Sequence, residues 1–149
     1  MEVIFEANAG MNRGTAKVVT HPAEQANWGD IEAGIQTAEQ RIVVINARNN
    51  RELPVVASTI AVIEPEGRMC SVRLISGEMY LLHTRLKFAL DVLDSPQFMK
   101  INNQTIINTR HIKEFSATDQ ARIQVMLTNG DAYFVSRHYI KNFRRNYHG

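Results

Sequence analysis

The sequence predicts a mostly β fold with flanking helices, in which an antiparallel β-fold follows a small α+β unit. Three observations favour this class. From Ile60 onward, short runs of alternating apolar and polar residues are separated by turn dipeptides. Two amphipathic stretches with helical spacing interrupt or follow these runs. The chain has 149 residues, of which 44% are hydrophobic and 21% charged, and this is sufficient for a globular core.

The Asn129-Gly130 dipeptide predicts a β-hairpin near the C-terminus, because these residues tolerate the positive φ angles of a two-residue turn. The residues before it alternate in polarity from Ile123 to Leu127. Pairing across a two-residue turn predicts that Ala132 and Phe134 share the core face of that first strand.

After the hairpin, the apolar spacing changes to that of a helix. Tyr139, Ile140 and Phe143 form the apolar stripe of a short amphipathic helix. Ser136 occupies the position of an N-cap. The later turns carry basic residues, which suit the negative end of a helix dipole and make a basic edge. These residues are Lys141, Arg144 and Arg145.

Residues 1–57 are predicted to form the small α+β unit, and residues 58–149 a second domain. Within the first unit, the runs Val3-Ile4-Phe5 and Ala16 to Val19 predict strands, as does Arg41 to Asn46. No motif in this unit indicates a chemical activity. We therefore expect its role to be dimerisation or regulation.

Between residues 60 and 97 the pattern predicts three strands and a helix. The helix follows Thr84, has leucines at helical spacing and ends at Ser95-Pro96. Another strand begins at Phe98. The three strands are Ile60 to Glu64, Cys70 to Ile75 and Met79 to His83, the last two joined across Ser76-Gly77.

The net charge of +2 is unevenly distributed along the chain. Residues 98–149 contain eight Lys or Arg and three Asp or Glu, a net of +5, whereas residues 1–97 contain nine against twelve, a net of −3. A basic C-terminal third indicates an anionic partner, although a solvated charged face has a similar pattern. The single Cys70 and the lack of a signal-like N-terminus predict a cytoplasmic protein.

Enzyme classes find little support in the sequence. It has neither a Walker-type phosphate loop nor a GxSxG nucleophile elbow. Cys70 with His83 or His111 could form a nucleophile and base, but no third residue is evident to orient the pair. The five His lack metal-ligand spacing, so we expect neither a metal nor a cofactor. An alternative non-enzymatic interpretation is a protein-interaction module whose basic edge binds an acidic or membrane partner.

The order of these elements resembles the LytTR family of bacterial DNA-binding domains over roughly Ile60 to Arg145. The resemblance depends on the order and spacing of several sequence features and not on any single one. The first of these features are the strand ending in Ile63-Glu64 and the hairpin that is followed by the Leu86/Leu90 helix. Next come the strand Phe98 to Ile101 with the polar residues after it, and Ile106-Ile107-Asn108 with Ile112. The last are the Asn129-Gly130 hairpin and Val135-Ser136-Arg137 with its basic helix.

The resemblance implies a protein that reads duplex DNA through loops, which enter successive major grooves, and that acts as a pair of copies on direct repeats. It also implies which residues make the contacts. The first loop surrounds Arg68 and Cys70; because Cys70 stands where the family often has His or another basic residue, Arg68 or Ser71 would take over that contact. The second loop would use Asn102, Asn103 and Gln104, and the third Ser136, Arg137 and His138. The residues that would hold phosphates are Lys141, Arg144 and Arg145.

The resemblance also bears on regulation. Many family members carry a phospho-receiver domain, for which residues 1–57 are too short, so control by phosphorylation in cis is not expected. Standalone members resemble regulators held by a membrane inhibitor protein. The expected partners are therefore double-stranded DNA, a second copy of the chain and such a membrane protein.

Overall fold

A computed structural model describes residues 1–148, with the side chains of residues 37–39, 147 and 148 left out of the description. The chain divides into two compact units, Met1–Ala33 and the part from Gly34 onward. The first unit contains the 3₁₀ helix Pro22–Asn27, after which α1 (Trp28–Glu39) begins. The indole of Trp28, the first residue of α1, donates a hydrogen bond to the Thr20 hydroxyl at 2.7 Å.

The strands expected at residues 3–5 and 16–19 are not formed. Within the described residues, the first strand begins at Arg41. Two successive turns occupy the intervening segment, closed by hydrogen bonds from Met11 N–H to Asn8 and from Thr15 N–H to Asn12. Strand propensity alone did not produce strands here, because an isolated pair of strands is at best marginally stable in water.

The second unit is built around a seven-stranded antiparallel sheet. Its strands are β1 (Arg41–Asn46), β2 (Arg51–Val56), β3 (Ile60–Glu66), β4 (Met69–Leu74), β5 (Met79–Leu82), β6 (Phe98–Asn102) and β7 (Thr105–Asn108). They lie side by side in the order β2-β1-β5-β4-β3-β7-β6. The helix α2 (Leu86–Leu93) connects β5 to β6, and 3₁₀ helices lie at Ala57–Thr59 and Thr109–His111.

A second, three-stranded antiparallel sheet follows. Its strands are β8 (Ile112–Ala117), β9 (Ile123–Leu127) and β10 (Ala132–Val135), and they lie in the order β10-β9-β8. The sheet is followed by the 3₁₀ helix Arg137–Tyr139 and by α3 (Ile140–His148). The two sheets and three helices confirm the predicted mostly β fold with flanking helices.

The structure does not divide at the predicted boundary of residue 57. β1 pairs with β5 through Ile45 and Leu81, and with β2 along six residue pairs, so both strands belong to the seven-stranded sheet. The boundary between compact units lies instead at Ala33/Gly34. The prediction failed because a change in motif content was taken as a change of domain, whereas hydrogen bonds between strands join the two segments.

The central strands β3 and β7 are buried on both faces, and they separate two apolar clusters. Ile63 and Ile106 lie in one cluster with residues of β1, β4 and α2. Val62 and Ile107 point the opposite way, into a cluster with residues of β9, β10 and α3. This burial explains why the apolar residues are consecutive in both strands, from Ile60 to Ile63 in β3 and at Ile106 and Ile107 in β7.

The hairpin between β9 and β10 forms, but its register differs from the prediction. Leu127 N–H bonds to Asp131, and Gly130, at φ of 92°, closes a three-residue loop with a bulge. This loop pairs Phe134 with Gln124, one residue away from the expected register. Because side chains alternate along a strand, Val135 is buried and Phe134 is 43% exposed, with the Arg122 guanidinium over its ring.

Candidate nucleic-acid interface

The turn between β6 and β7 is fixed by the side chain of Asn102. Its amide oxygen accepts a hydrogen bond from the Gln104 N–H at 2.9 Å, and its amide nitrogen donates to the Phe134 carbonyl at 2.9 Å. The first bond closes the turn, and the second ties it to β10. Asn103 and Gln104 are exposed at the tip. Of the three predicted residues, one therefore positions the turn, while the other two reach solvent.

Asn103 is hydrogen-bonded to the segment that follows β10. The Tyr139 hydroxyl donates to the Asn103 amide oxygen at 3.0 Å. Nearby, the Ser136 N–H donates to the Ile101 carbonyl at 2.9 Å. These bonds join the second and third predicted loops into one surface. An amide held in this way can still donate through nitrogen and accept a second bond at oxygen, which are the two bonds that Asn makes to adenine.

The third predicted loop begins at Ser136 and continues as the 3₁₀ helix. Ser136 is the N-cap residue of this helix, as predicted, but its side chain makes no capping bond; the Tyr139 N–H bonds to the Ser136 carbonyl at 2.8 Å. Arg137 and His138 are exposed, and the His138 ring packs edge-on to Tyr139 with centroids 5.2 Å apart. Among the described residues, no salt bridge involves Arg137. Its guanidinium can therefore bind an external acceptor.

The first predicted loop is the tight turn between β3 and β4. These strands pair up to the residues that flank Gly67 and Arg68, and Gly67 has a φ of 60°, which suits the first position of a type II′ turn. Arg68 is exposed at its tip. Because Ile63 of β3 pairs with Ile106 of β7 in antiparallel orientation, the β3–β4 and β6–β7 turns lie at the same end of the sheet.

Cys70 and Ser71 lie in the interior, which corrects their assignment to the first loop. Cys70 is fully buried in the core cluster that contains Ile63, and burial raises the pKa of its thiol. Ser71 is 8% exposed, and its hydroxyl lies 3.5 Å from the Glu64 carbonyl. Both follow Arg68 in β4, where the strand has already entered the sheet. Of the predicted first loop, only Arg68 reaches the surface.

The predicted basic edge is formed by one side of α3. Phe143 is buried and meets Phe115 of β8 edge-to-face, with ring centroids 5.0 Å apart. This contact fixes which side of the helix faces the core. The three basic residues Lys141, Arg144 and Arg145 are exposed. Lys141 and Arg145 are one turn apart, so their charges lie on one side of the helix.

The structure adds two features that the sequence did not indicate. Tyr139 was predicted only as part of an apolar stripe, yet its hydroxyl holds Asn103. His83 and Arg85 are exposed where the chain leaves β5. Because Leu82 pairs with Cys70, this segment lies at the end of the sheet that carries Arg68. In the sequence, the charge of Arg85 is the one property that would have suggested a role for this segment in binding an anionic partner.

In the part of the chain that the structure describes, no group of three or more His, Cys, Asp or Glu side chains could hold a metal ion. No helix there is both long and apolar enough to cross a membrane.

The family model of the LytTr DNA-binding domain matches residues 37–148, and this match includes the two strands that precede Ile60. No curated protein matches the sequence. Among solved structures, the chain is similar to the LytTr DNA-binding domain of a Bacillus cereus protein described as a methyl-accepting/DNA response regulator. The identity is 18% and the TM-score 0.64, with 74% of this chain and 99% of the other covered, so the likeness is one of fold. The chain belongs to the LytTR family of DNA-binding domains.

Proposed function

We propose that this protein is a sequence-specific transcriptional regulator that reads the major groove of duplex DNA with three loops. The observation that carries the proposal is the joining of two predicted loops. The Tyr139–Asn103 hydrogen bond links the β6–β7 turn to the segment that carries Arg137. Base reading requires side chains that are both exposed and held in register, and this arrangement supplies both.

The exposed side chains in these loops have the chemistry that base edges require. Arg68 and Arg137 can each donate two hydrogen bonds to guanine O6 and N7, and Asn103 or Gln104 can pair with adenine N6 and N7. His138 adds a further ring nitrogen beside Arg137. Asn102 and Ser136 act through the backbone positions that they fix, and their contacts support the reading residues indirectly.

Lys141, Arg144 and Arg145 are proposed to contact phosphates. They are exposed on α3, whose opposite side is anchored by Phe143. Contacts to phosphate fix the position of a protein on DNA without reading its sequence. They also make affinity depend on salt, because bound phosphates release their counterions.

We further propose that two copies act on direct repeats in the bacterial cytoplasm, and that a membrane inhibitor protein is a partner. These proposals come from the family resemblance. The +5 net charge of residues 98–149, which include two of the three loops and α3, supports the anionic partner.

The test begins with selection of a binding site from random duplex DNA, followed by titration of the full chain. We expect submicromolar binding to a repeated site, and a loss of about 10³ in affinity between about 50 and 200 mM salt. Heparin competition and vesicles containing phosphatidylserine distinguish DNA reading from general binding of anions or membranes. Binding that is weaker than micromolar at low salt, or indifferent to DNA sequence, would refute the proposal.

A further inference from the structure

Two stretches in the first compact unit expose most of their apolar side chains. We call residues 1–6, MEVIFE, arm 1 and residues 15–20, TAKVVT, arm 2. Ile4 is 83% exposed, Phe5 93% and Val19 78%. Both arms are rich in the β-branched residues that favour strands, and arm 1 adds the aromatic Phe5. Within the described residues, however, neither belongs to a strand.

The arms do not pair with each other inside the chain. The segment between them forms the two turns closed at Asn8 and Asn12 instead of a hairpin. Clustered apolar side chains on the surface of a folded protein mark an interaction site, and an unpaired strand-like segment is a template for pairing with another chain. The arms therefore offer both the side chains and the backbone groups of an incomplete sheet.

We propose that the arms pair with those of a second copy of this chain. Arm 1 of one protomer would run antiparallel to arm 2 of its partner, and the twofold axis would repeat this pairing. Four arms give two strand pairs, which can bury their apolar faces against each other. This deepens the proposed action of two copies on repeats, but the contact itself requires no DNA.

Charge complementarity favours the second copy as the occupant. Pairing arm 1 with arm 1 would bring the carboxylates of Glu2 and Glu6 together, and pairing arm 2 with arm 2 would bring Lys17 close to its own copy. Pairing unlike arms removes both repulsions. With Ile4 opposite Lys17, the ammonium group is diagonal to both carboxylates, a distance that long side chains can span.

The same register also matches the apolar side chains. Val3 would lie opposite Val18, and Phe5 opposite Ala16, on one face of the ribbon. None of these four residues is charged. The charges and these two apolar pairs thus favour one register, in which Ile4 and Val19 lie on the opposite face together with Lys17 and Glu2.

The test uses charge reversal in the full chain and sedimentation across micromolar concentrations without DNA. The Glu2→Lys/Glu6→Lys double variant makes both arms basic, and Lys17→Glu makes both arms acidic. Each variant alone should dimerise at least about tenfold more weakly than the unmodified protein. A mixture of the two should recover the dimer, because every arm then meets an arm of opposite charge.

Apolar contact is tested by Phe5→Asp, with Phe88→Asp as the matched control. Phe88 is 50% exposed on α2, outside the arms, so its replacement should leave the dimer intact. An unmodified protein that sediments as a monomer, or a mixture that does not recover, would overturn the proposal. Binding of each variant to a single DNA repeat is measured separately. If neither the unmodified protein nor any variant binds DNA, but the mixture still recovers the dimer, then the proposed DNA function fails and the arm pairing stands.

Discussion

The Tyr139–Asn103 hydrogen bond predicts a graded loss of sequence discrimination when the hydroxyl is removed. In Tyr139→Phe the ring keeps its place beside His138, but the Asn103 amide loses the donor at 3.0 Å that orients it. Asn103 is exposed, and among the described residues Tyr139 is the side chain that hydrogen-bonds to its amide. The reading side chain remains present but becomes less ordered.

The expected magnitude follows from two bounds. A hydrogen bond of this kind has a net worth of about 0.5–1.5 kcal/mol, which limits the direct loss of order. Removing the amide altogether, in Asn103→Ala, should cost about 1–3 kcal/mol of discrimination at one base pair. Tyr139→Phe should therefore lose about three- to tenfold of the preference at the same base pair, and less than Asn103→Ala does.

The assay is a titration of each variant against the selected site and against single-base changes in it. Tyr80→Phe is the matched control, because its hydroxyl bonds to Glu78 at 2.7 Å, beside the hairpin turn before β5. On the Asn103→Ala background, Tyr139→Phe should have no further effect on discrimination. Additive losses at different base pairs would show that Tyr139 does not act through Asn103, and the proposed positioning role would be wrong.

Four further predictions concern reading, holding and stability. Arg137→Ala should flatten the preference at one base pair of each repeat by about 1–3 kcal/mol in titrations against single-base variants, and unchanged preference would make it a phosphate contact. Lys141→Ala should weaken all DNA sequences alike and reduce the salt slope by about one unit. Asn108→Ala should lower the free energy of unfolding by about 1–3 kcal/mol in urea titrations, because the buried amide donates to the Ile60 carbonyl at 2.9 Å. Burial raises the pKa of the Cys70 thiol above its usual value, so the thiol ionises at a lower pH in the unfolded chain than in the folded protein. The stability that the neutral thiol contributes at neutral pH should therefore decline as the pH rises past that usual value. Cys70→Ala should lack this decline in urea titrations over the alkaline range.

Much of the second unit could be predicted from local pattern. The bounds of β1 follow from its apolar run, and the Leu86 helix, the strand at Phe98 and the second hairpin lie where the periodicity indicated. In these segments, local propensity and tertiary pairing agree, as expected of sequences that fold to one structure. The strand prediction for the N-terminal arms was wrong because local propensity and tertiary pairing disagree there. The arms have the composition of strands, but no strand in the described part of the chain pairs with them.

The division of labour within the candidate interface could not be predicted from sequence. Asn102 and Asn103 are adjacent residues of the same type. In the folded protein, however, the Asn102 amide bonds to β10, whereas the Asn103 amide is exposed and accepts a bond from Tyr139. Cys70 illustrates the same limit: it lies two residues beyond the exposed Arg68, yet pairing with Leu82 carries it into the core. A residue pattern predicts which chemistry is available in a loop. Which side chains can deliver that chemistry depends on strand register, and register is set by contacts between segments distant in sequence.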